Sequence, residues 1–410
     1  MSATGHDHAR LPNGLRLLGE RSPARSVAVG LMFDVGARDE RPDEGGSAHF
    51  LEHLAFKGDA GRDADDVNRA FDELGARCNA STSHERTFYY GAALAERRSE
   101  LTALLLALAR PALRPEDVEL ERQVILEEIA MVDDQPSARA FELGAERFFA
   151  GHPLGASVLG TPATVSSLTG ERLLRFQRRW YGSERALLAV TGDYAWDEVV
   201  AQVEALTAAW APGGGRRTYP ALVPRSGVDE GRADGVTRAH LTWFAPAPSA
   251  QDPARVAAAL LARVVGDEDN GRLYWALVEP GLVDEAAAWF DPADRSGTFQ
   301  GYAATDDTLH DLVAERVDAT LARFEREGPT ADEWARAQRG LATEVMLRAE
   351  TPMGRLAGLA DAWFDRGEVE SADAAVDRIL ATSVAGGRAL LERAPIAARF
   401  RFSWRPARSS

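Results

Sequence analysis

Gly45-Gly-Ser-Ala-His49-Phe-Leu-Glu52-His53-Leu-Ala55 is the stretch on which the reading of this chain turns. Gly45, Gly46 and Ser47 read as a loop and helix start, and Ala48 to Ala55 as one or two apolar helical turns. On a helix, positions i and i+4 share a face, so His49 and His53 can grip one cation together. Glu52, three residues beyond His49, leans over the same face, within reach of a water at that cation. The order is H-x-x-E-H, the inverse of the H-E-x-x-H zinc motif. Two surface histidines beside an acid on an amphipathic helix would give the same five letters, so the neighbouring residues must decide.

A zinc site with two histidines needs a third protein ligand and an open position for water. The donor is sought in Glu121-Arg-Gln-Val-Ile-Leu-Glu127-Glu128-Ile129. Pro115 and the acids that follow it mark the start of the helix carrying this segment. Glu121 and Glu128 lie two helical turns apart, so they share a face, whereas Glu127 is rotated by about 100° away from it. Glu128 is therefore assigned as the third ligand. Glu121 is assigned as the partner that orients a histidine from behind.

Composition narrows the class. The chain has 410 residues, enough for two or more domains, and 45% of them are hydrophobic, enough to fill their cores. No apolar run of roughly eighteen residues occurs, so no membrane span is expected. The first ten residues hold no apolar stretch of the kind a secretory signal needs. Cys78 is the one cysteine, which excludes an internal disulfide and fits a reducing compartment, so a cytoplasmic location is expected. The net charge of −16 argues against a nucleic-acid partner and leans only weakly towards basic peptides, since solubility alone accounts for such a charge.

Residues 211–235, with Pro212-Gly-Gly-Gly215, Pro220 and Pro224, read as a linker between domains 1–210 and 236–410. The two sides repeat an order of elements. Val27–Val35 reads as a strand, followed by the metal-motif helix, a hairpin ending in Thr87-Phe-Tyr-Tyr-Gly-Ala-Ala93, a helix over Glu96–Arg110 and the helix of Glu121. In the second half Thr298-Phe-Gln-Gly-Tyr-Ala-Ala304 precedes a helix over Asp307–Glu327 and another running from Pro329 past Glu344. Superposed, Glu128 meets Glu344. The expected fold is α+β: two homologous α/β-sandwich domains, each an antiparallel-rich sheet with packed helices, related by internal duplication. The copies are unequal, because Pro253–Val265, the match of the metal helix, carries no ligand and Glu344 reads as a structural acid. His84 reads as solvated, His152 as structural, and His6 and His8 as part of a tail.

His49-Phe-Leu-Glu-His-Leu-Ala-Phe-Lys-Gly58, followed by the Glu121–Ile129 segment, resembles the pitrilysin family of inverted-motif zinc peptidases, in particular its short bacterial and mitochondrial-processing-peptidase-like branch. The likeness extends to Asn79–Tyr90, to Gly151-His-Pro-Leu-Gly155 with Leu159-Gly-Thr-Pro162, and to Tyr181–Asp193, which ends Leu-Leu-Ala-Val-Thr-Gly-Asp. It implies a metalloendopeptidase with one Zn2+ per chain on His49, His53 and Glu128, and with Glu52 carrying the proton. A peptide would add as a strand along Asn79, Ala80, Ser81 and Thr82.

One departure stands out. Active single-chain relatives carry in the second domain an arginine and, seven residues on, a tyrosine that contact the substrate. Aligned on Gly281, those places here hold Leu277 and Asp284. Three readings follow: a zinc subunit forming a heterodimer with a metal-free homologue that supplies the pair, a self-sufficient homodimeric peptidase, or a non-enzymatic peptide-binding or assembly subunit.

Overall fold

In a computed structural model, which describes residues 5–396 and 399–408, the elements follow one another in two matching series. The first runs β1 (His6–Arg10), β2 (Arg16–Arg21), β3 (Ser26–Phe33), α1 (Ser47–Ala55), α2 (Ala64–Leu74), β4 (Arg77–Thr82) and β5 (Thr87–Leu94). It continues through α3 (Arg98–Leu108), α4 (Pro115–Asp133), α5 (Pro136–Phe149), α6 (Pro162–Ser167), α7 (Gly170–Trp180), β6 (Ala186–Gly192) and α8 (Trp196–Thr207). The second comprises β7 (Gly227–Ala233), β8 (Ala239–Pro246), α9 (Arg255–Gly266), β9 (Glu285–Ala293), β10 (Ser296–Thr305) and α10 (His310–Glu327). It closes with α11 (Ala331–Ala349), α12 (Pro352–Arg366), α13 (Ala372–Ala381), α14 (Val384–Arg393) and β11 (Phe400–Pro406).

Two compact units form. One takes the chain up to Ile129 with Ala156–Thr218 and Leu347–Ser371; the other takes Ala130–Gly155, Tyr219–Met346 and the chain from Ala372. In the first, a six-stranded sheet has the order β1-β2-β6-β3-β5-β4, and only β2 and β6 run parallel. Alternation along β3 sends Val27, Val29, Leu31 and Phe33 to one face and Ala28 and Met32 to the other. Both faces are covered, so the strand is apolar along its length rather than alternating with polar residues. The first set packs with Phe50 and Leu54 of α1, Leu101 and Leu105 of α3 and Phe176 of α7. The second lies under Leu356, Leu359 and Ala360 of α12. Arg86, at the turn before β5, pins α12 by ion pairs to Asp361 at 2.7 Å and to Asp365.

The second unit is built the same way. Its sheet has the order β7-β11-β8-β10-β9, with only β7 and β11 parallel. Phe244 of β8 and Phe400 and Phe402 of β11 are covered by Phe148 and Phe149 of α5. Strands β8, β10 and β9 repeat the places of β3, β5 and β4, and the 19-residue helices α4 and α11 carry Glu128 and Glu344. The expected duplication of antiparallel-rich sandwiches is borne out. Each unit also takes the helix after that long helix from the other half of the chain, α12 in the first and α5 in the second.

Two expectations need correction. The stretch expected as a linker is irregular only as far as residue 226, because Gly227–Ala233 pairs with β11 as strand β7. An edge strand with exposed faces needs no apolar alternation, so its composition looks like a loop. Nor are His6 and His8 in a tail: they lie on β1, where His6 is buried opposite Glu20.

Leu356 is fully buried between α12 and the sheet. Leu356→Ala is expected to lower stability by about 2–5 kcal/mol, since it removes the side chain and leaves a cavity. Leu380→Ala, at a side chain 51% exposed, should cost under about 0.5 kcal/mol. Denaturant unfolding of the two variants checks the contrast.

Candidate metal centre

The loop before α1 fixes where the metal motif begins. Gly46 has a φ of 89°, and a Cβ there would come within 2.7 Å of the Leu159 carbonyl oxygen, so the turn into the helix requires glycine. The Glu40 carboxylate then takes the first helical amides, accepting from Gly46 N and from Ala48 N, each at 2.8 Å. A carboxylate is favoured at a helix N-terminus. Burial works against its charge, however, and pushes the Glu40 carboxyl up to about 8. Beneath this loop Arg217 reaches back from the irregular stretch, bonding both oxygens of Asp39 at 2.9 and 2.8 Å.

Helix α1 places His49 and His53 one turn apart, with ring centroids 4.6 Å from each other. Glu128 of α4 faces both: its Oε2 lies 3.7 Å from His49 Nε2 and 3.5 Å from His53 Nε2. One ligand atom from each of the three lies within 4.8 Å of the others, and no further group of three such residues occurs among the described residues. Those separations are too long for hydrogen bonds. They match what an ion requires, since ligands about 2.0–2.2 Å from a tetrahedral zinc stand roughly 3.3–3.6 Å apart. Burial, with His53 close by, pushes His49 down to about 4, which keeps its ring neutral and able to donate a lone pair at neutral pH. The donor set fits zinc.

Behind this cluster Glu121 is buried and accepts from His53 Nδ1 at 2.8 Å. Lys57 Nζ lies 2.6 Å from the other oxygen of the same carboxylate. Burial would raise the Glu121 pKa, but the bonds from His53 and Lys57 outweigh it and hold the carboxyl below its usual range. For His53, burial opposes the charge, while the bond to Glu121 and the surrounding carboxylates carry the net shift upward. Glu127, next to Glu128 in sequence, points to solvent.

Glu52 stands beside the cluster, and the Thr82 hydroxyl donates to its Oε2 at 2.5 Å. Burial raises its pKa. Thr82 belongs to β4, the end strand of its sheet, which pairs with β5 in the register Asn79 with Tyr90, Ala80 with Tyr89 and Ser81 with Phe88. Asn79 and Ser81 are exposed and Ala80 is buried. The Asn79 side-chain oxygen accepts from the Ala80 amide at 2.9 Å. Of the four residues read as a substrate edge, Thr82 alone turns its side chain to Glu52.

Among its described residues, the second unit holds no such cluster. Glu344 of α11 pairs with Arg263 of α9 at 3.1 Å, so a guanidinium answers the carboxylate that matches Glu128. Leu277 is fully buried in a π-helical stretch, and Asp284 is paired with Arg238 at 2.7 Å. Sequence reasoning missed Glu40, Lys57 and Arg217. None of the three left a periodic signal, since Glu40 and Arg217 lie in irregular stretches and Lys57 lies in the turn just past the end of α1.

Comparison with known proteins gives a consistent picture. Residues 16–162 match the family model described as insulinase (peptidase family M16), and residues 167–341 match the one described as peptidase M16 inactive domain. A protein of Streptomyces coelicolor named an uncharacterized zinc protease is 33% identical over 383 residues, covering 90% of this chain and 83% of its own. A Mycobacterium leprae protein of the same description is 34% identical over 350 residues, covering 83% of this chain and 78% of its own. Among solved structures, a protease from Helicobacter pylori has a TM-score of 0.90 at 19% identity, covering 98% of this chain and 99% of that one. A Pseudomonas fluorescens protein described as a peptidase M16 inactive domain has a TM-score of 0.91 at 17% identity, with 99% of each chain covered. At those identities the structures speak for the fold alone.

Proposed function

We propose a function for this chain from one premise: it belongs to the insulinase family of peptidases, M16, which bears out the pitrilysin-family resemblance of its motifs. We infer that it is a zinc-dependent metalloendopeptidase subunit whose site is His49, His53, Glu128 and Glu52. The observation that carries this is the meeting of two imidazole nitrogens and a carboxylate oxygen within 4.8 Å, with Glu52 alongside. Zinc bound there would supply Lewis acidity, polarising a peptide carbonyl and acidifying water. Glu52 takes the proton of the attacking water and delivers it to the leaving amine. Thr82 keeps one Glu52 oxygen fixed, leaving the other for that exchange. Glu121 orients His53.

The substrate is read as an unfolded or extended peptide lying along β4. An end strand can accept main-chain hydrogen bonds from any such segment, which makes the binding tolerant of sequence. The place of β4 supports this, since it pairs with β5 on one side and ends its sheet on the other. No helix among the described residues is long and apolar enough to cross a membrane. The single cysteine suits the cytoplasm. The intact cluster favours a catalytic over an assembly role.

The test is metal content. The purified chain should hold one zinc, Glu128→Gln should weaken its binding by at least about tenfold, and Glu127→Gln should leave it unchanged, because only Glu128 faces the histidines. Zinc retained by Glu128→Gln and lost by Glu127→Gln would overturn the ligand assignment.

A further inference from the structure

We propose that Lys57 is a positioning residue for the metal centre, acting on His53 through Glu121; the inference rests on the zinc reading above. A carboxylate behind a ligating histidine has two oxygens, and it can swing unless both are engaged. Here Glu121 Oε2 takes His53 Nδ1 at 2.8 Å while Lys57 Nζ occupies Oε1 at 2.6 Å. The carboxylate only accepts, so Nδ1 carries the hydrogen and Nε2 keeps its lone pair towards Glu128, 3.5 Å away. His49 has no comparable support, because its buried Nδ1 has no hydrogen-bond partner among the described residues. Orientation of the pair by hydrogen bonding therefore enters through the Lys57 arm.

That arm is built rather than incidental. An exposed ion pair would tell little, since two long side chains in water hold no fixed geometry. This one is different: the Glu121 side chain is only 5% exposed. The lysine is also fixed at its root. Its amide donates to Leu54 O at 3.1 Å, and its carbonyl accepts from Arg114 Nη1 at 3.1 Å. Arg114 Nη2 in turn binds the carbonyls of Asp59 at 2.7 Å and Arg62 at 2.9 Å, fastening the loop to the start of α4. Gly58, at a φ of 98°, lets the chain turn sharply just after Lys57, where a Cβ would come within 2.1 Å of the Arg62 carbonyl oxygen. The main chain thus leaves α1 while the lysine side chain remains beside it and reaches Glu121.

The experiment measures zinc affinity of the full-length chain by competition with a chromophoric chelator, together with the visible spectrum of the cobalt-substituted protein. Lys57→Met is expected to weaken zinc about 10–100-fold, the scale on which partners behind a ligand act, and to alter the cobalt spectrum. Lys57→Arg, which keeps a cation at Glu121, should recover most of the loss. Because Lys57 acts through Glu121, adding Lys57→Met to Glu121→Gln should weaken zinc little beyond Glu121→Gln alone. Wild-type affinity and spectrum in Lys57→Met would overturn the proposal. So would additive losses in the double variant, or equal losses in Lys57→Met and Lys57→Arg, either of which would make the lysine a structural residue. If Lys57→Met does not fold, Lys57→Ala, which also removes the cation, takes its place under the same criteria. Absence of tight zinc binding in the wild-type chain would instead overturn the metal reading itself.

Discussion

Glu52→Gln is expected to leave zinc and peptide binding in place and to lower turnover by about 10²–10⁴-fold, the usual contribution of a positioned proton carrier. The geometry separates Glu52 from the ligands. His49, His53 and Glu128 converge, whereas Glu52 is engaged by the Thr82 hydroxyl at 2.5 Å. Glutamine preserves that contact, because its amide oxygen can accept the same bond, and it preserves shape. What it removes is the capacity to receive a proton and release it again. Zinc content, peptide affinity and turnover must therefore be measured on the same preparation. A zinc-loaded Glu52→Gln protein turning over at close to the wild-type rate would mean that another group activates the water. Loss of zinc along with activity would mean that Glu52 belongs among the ligands.

Much of this site could be read from the chain because helices translate spacing into faces. His49 and His53 lie one turn apart, Glu52 lies three residues beyond His49, and Glu121 and Glu128 share a face two turns apart, so five of the central residues follow from i+3, i+4 and i+7 alone. The structure places Glu128 against both rings and Glu121 behind one of them. Glu40 was illegible for the complementary reason. Its bonds to the α1 amides depend on the path of an irregular loop, and no periodicity encodes that. Strand β7 hid in a polar stretch because its parallel partner, β11, lies at the far end of the chain. His6 and His8 looked like tail residues until Arg16–Glu20 supplied a strand to pair with. The cover that α12 gives the first sheet is likewise a long-range event: Leu356 and Leu359 announce an amphipathic helix but not which sheet it will cover.

Purified alone, the chain is expected to bind zinc yet cleave peptides at least about 10²-fold more slowly than it does with a homologous metal-free partner. Removing a single transition-state donor costs about that much, and family resemblance implies that two such groups are missing here. Leu277 has no donor and is fully buried, and Asp284 is negative and already engaged by Arg238. Neither can stand in for an arginine or a tyrosine at a developing oxyanion. The packing also says why the missing pair would not be regained by point substitution. Leu277→Arg would set an unpaired cation among Leu273, Val283 and the rest of the second core, where an uncompensated charge costs several kcal/mol. Leu277→Arg with Asp284→Tyr is therefore expected to destabilise the chain rather than activate it. Activity should instead appear when a second chain carrying the arginine and tyrosine is mixed in, and it should scale with complex formation. Full turnover by the pure chain, unchanged by dilution or by added partner, would remove the heterodimer and leave a self-sufficient peptidase that uses other residues of its second unit.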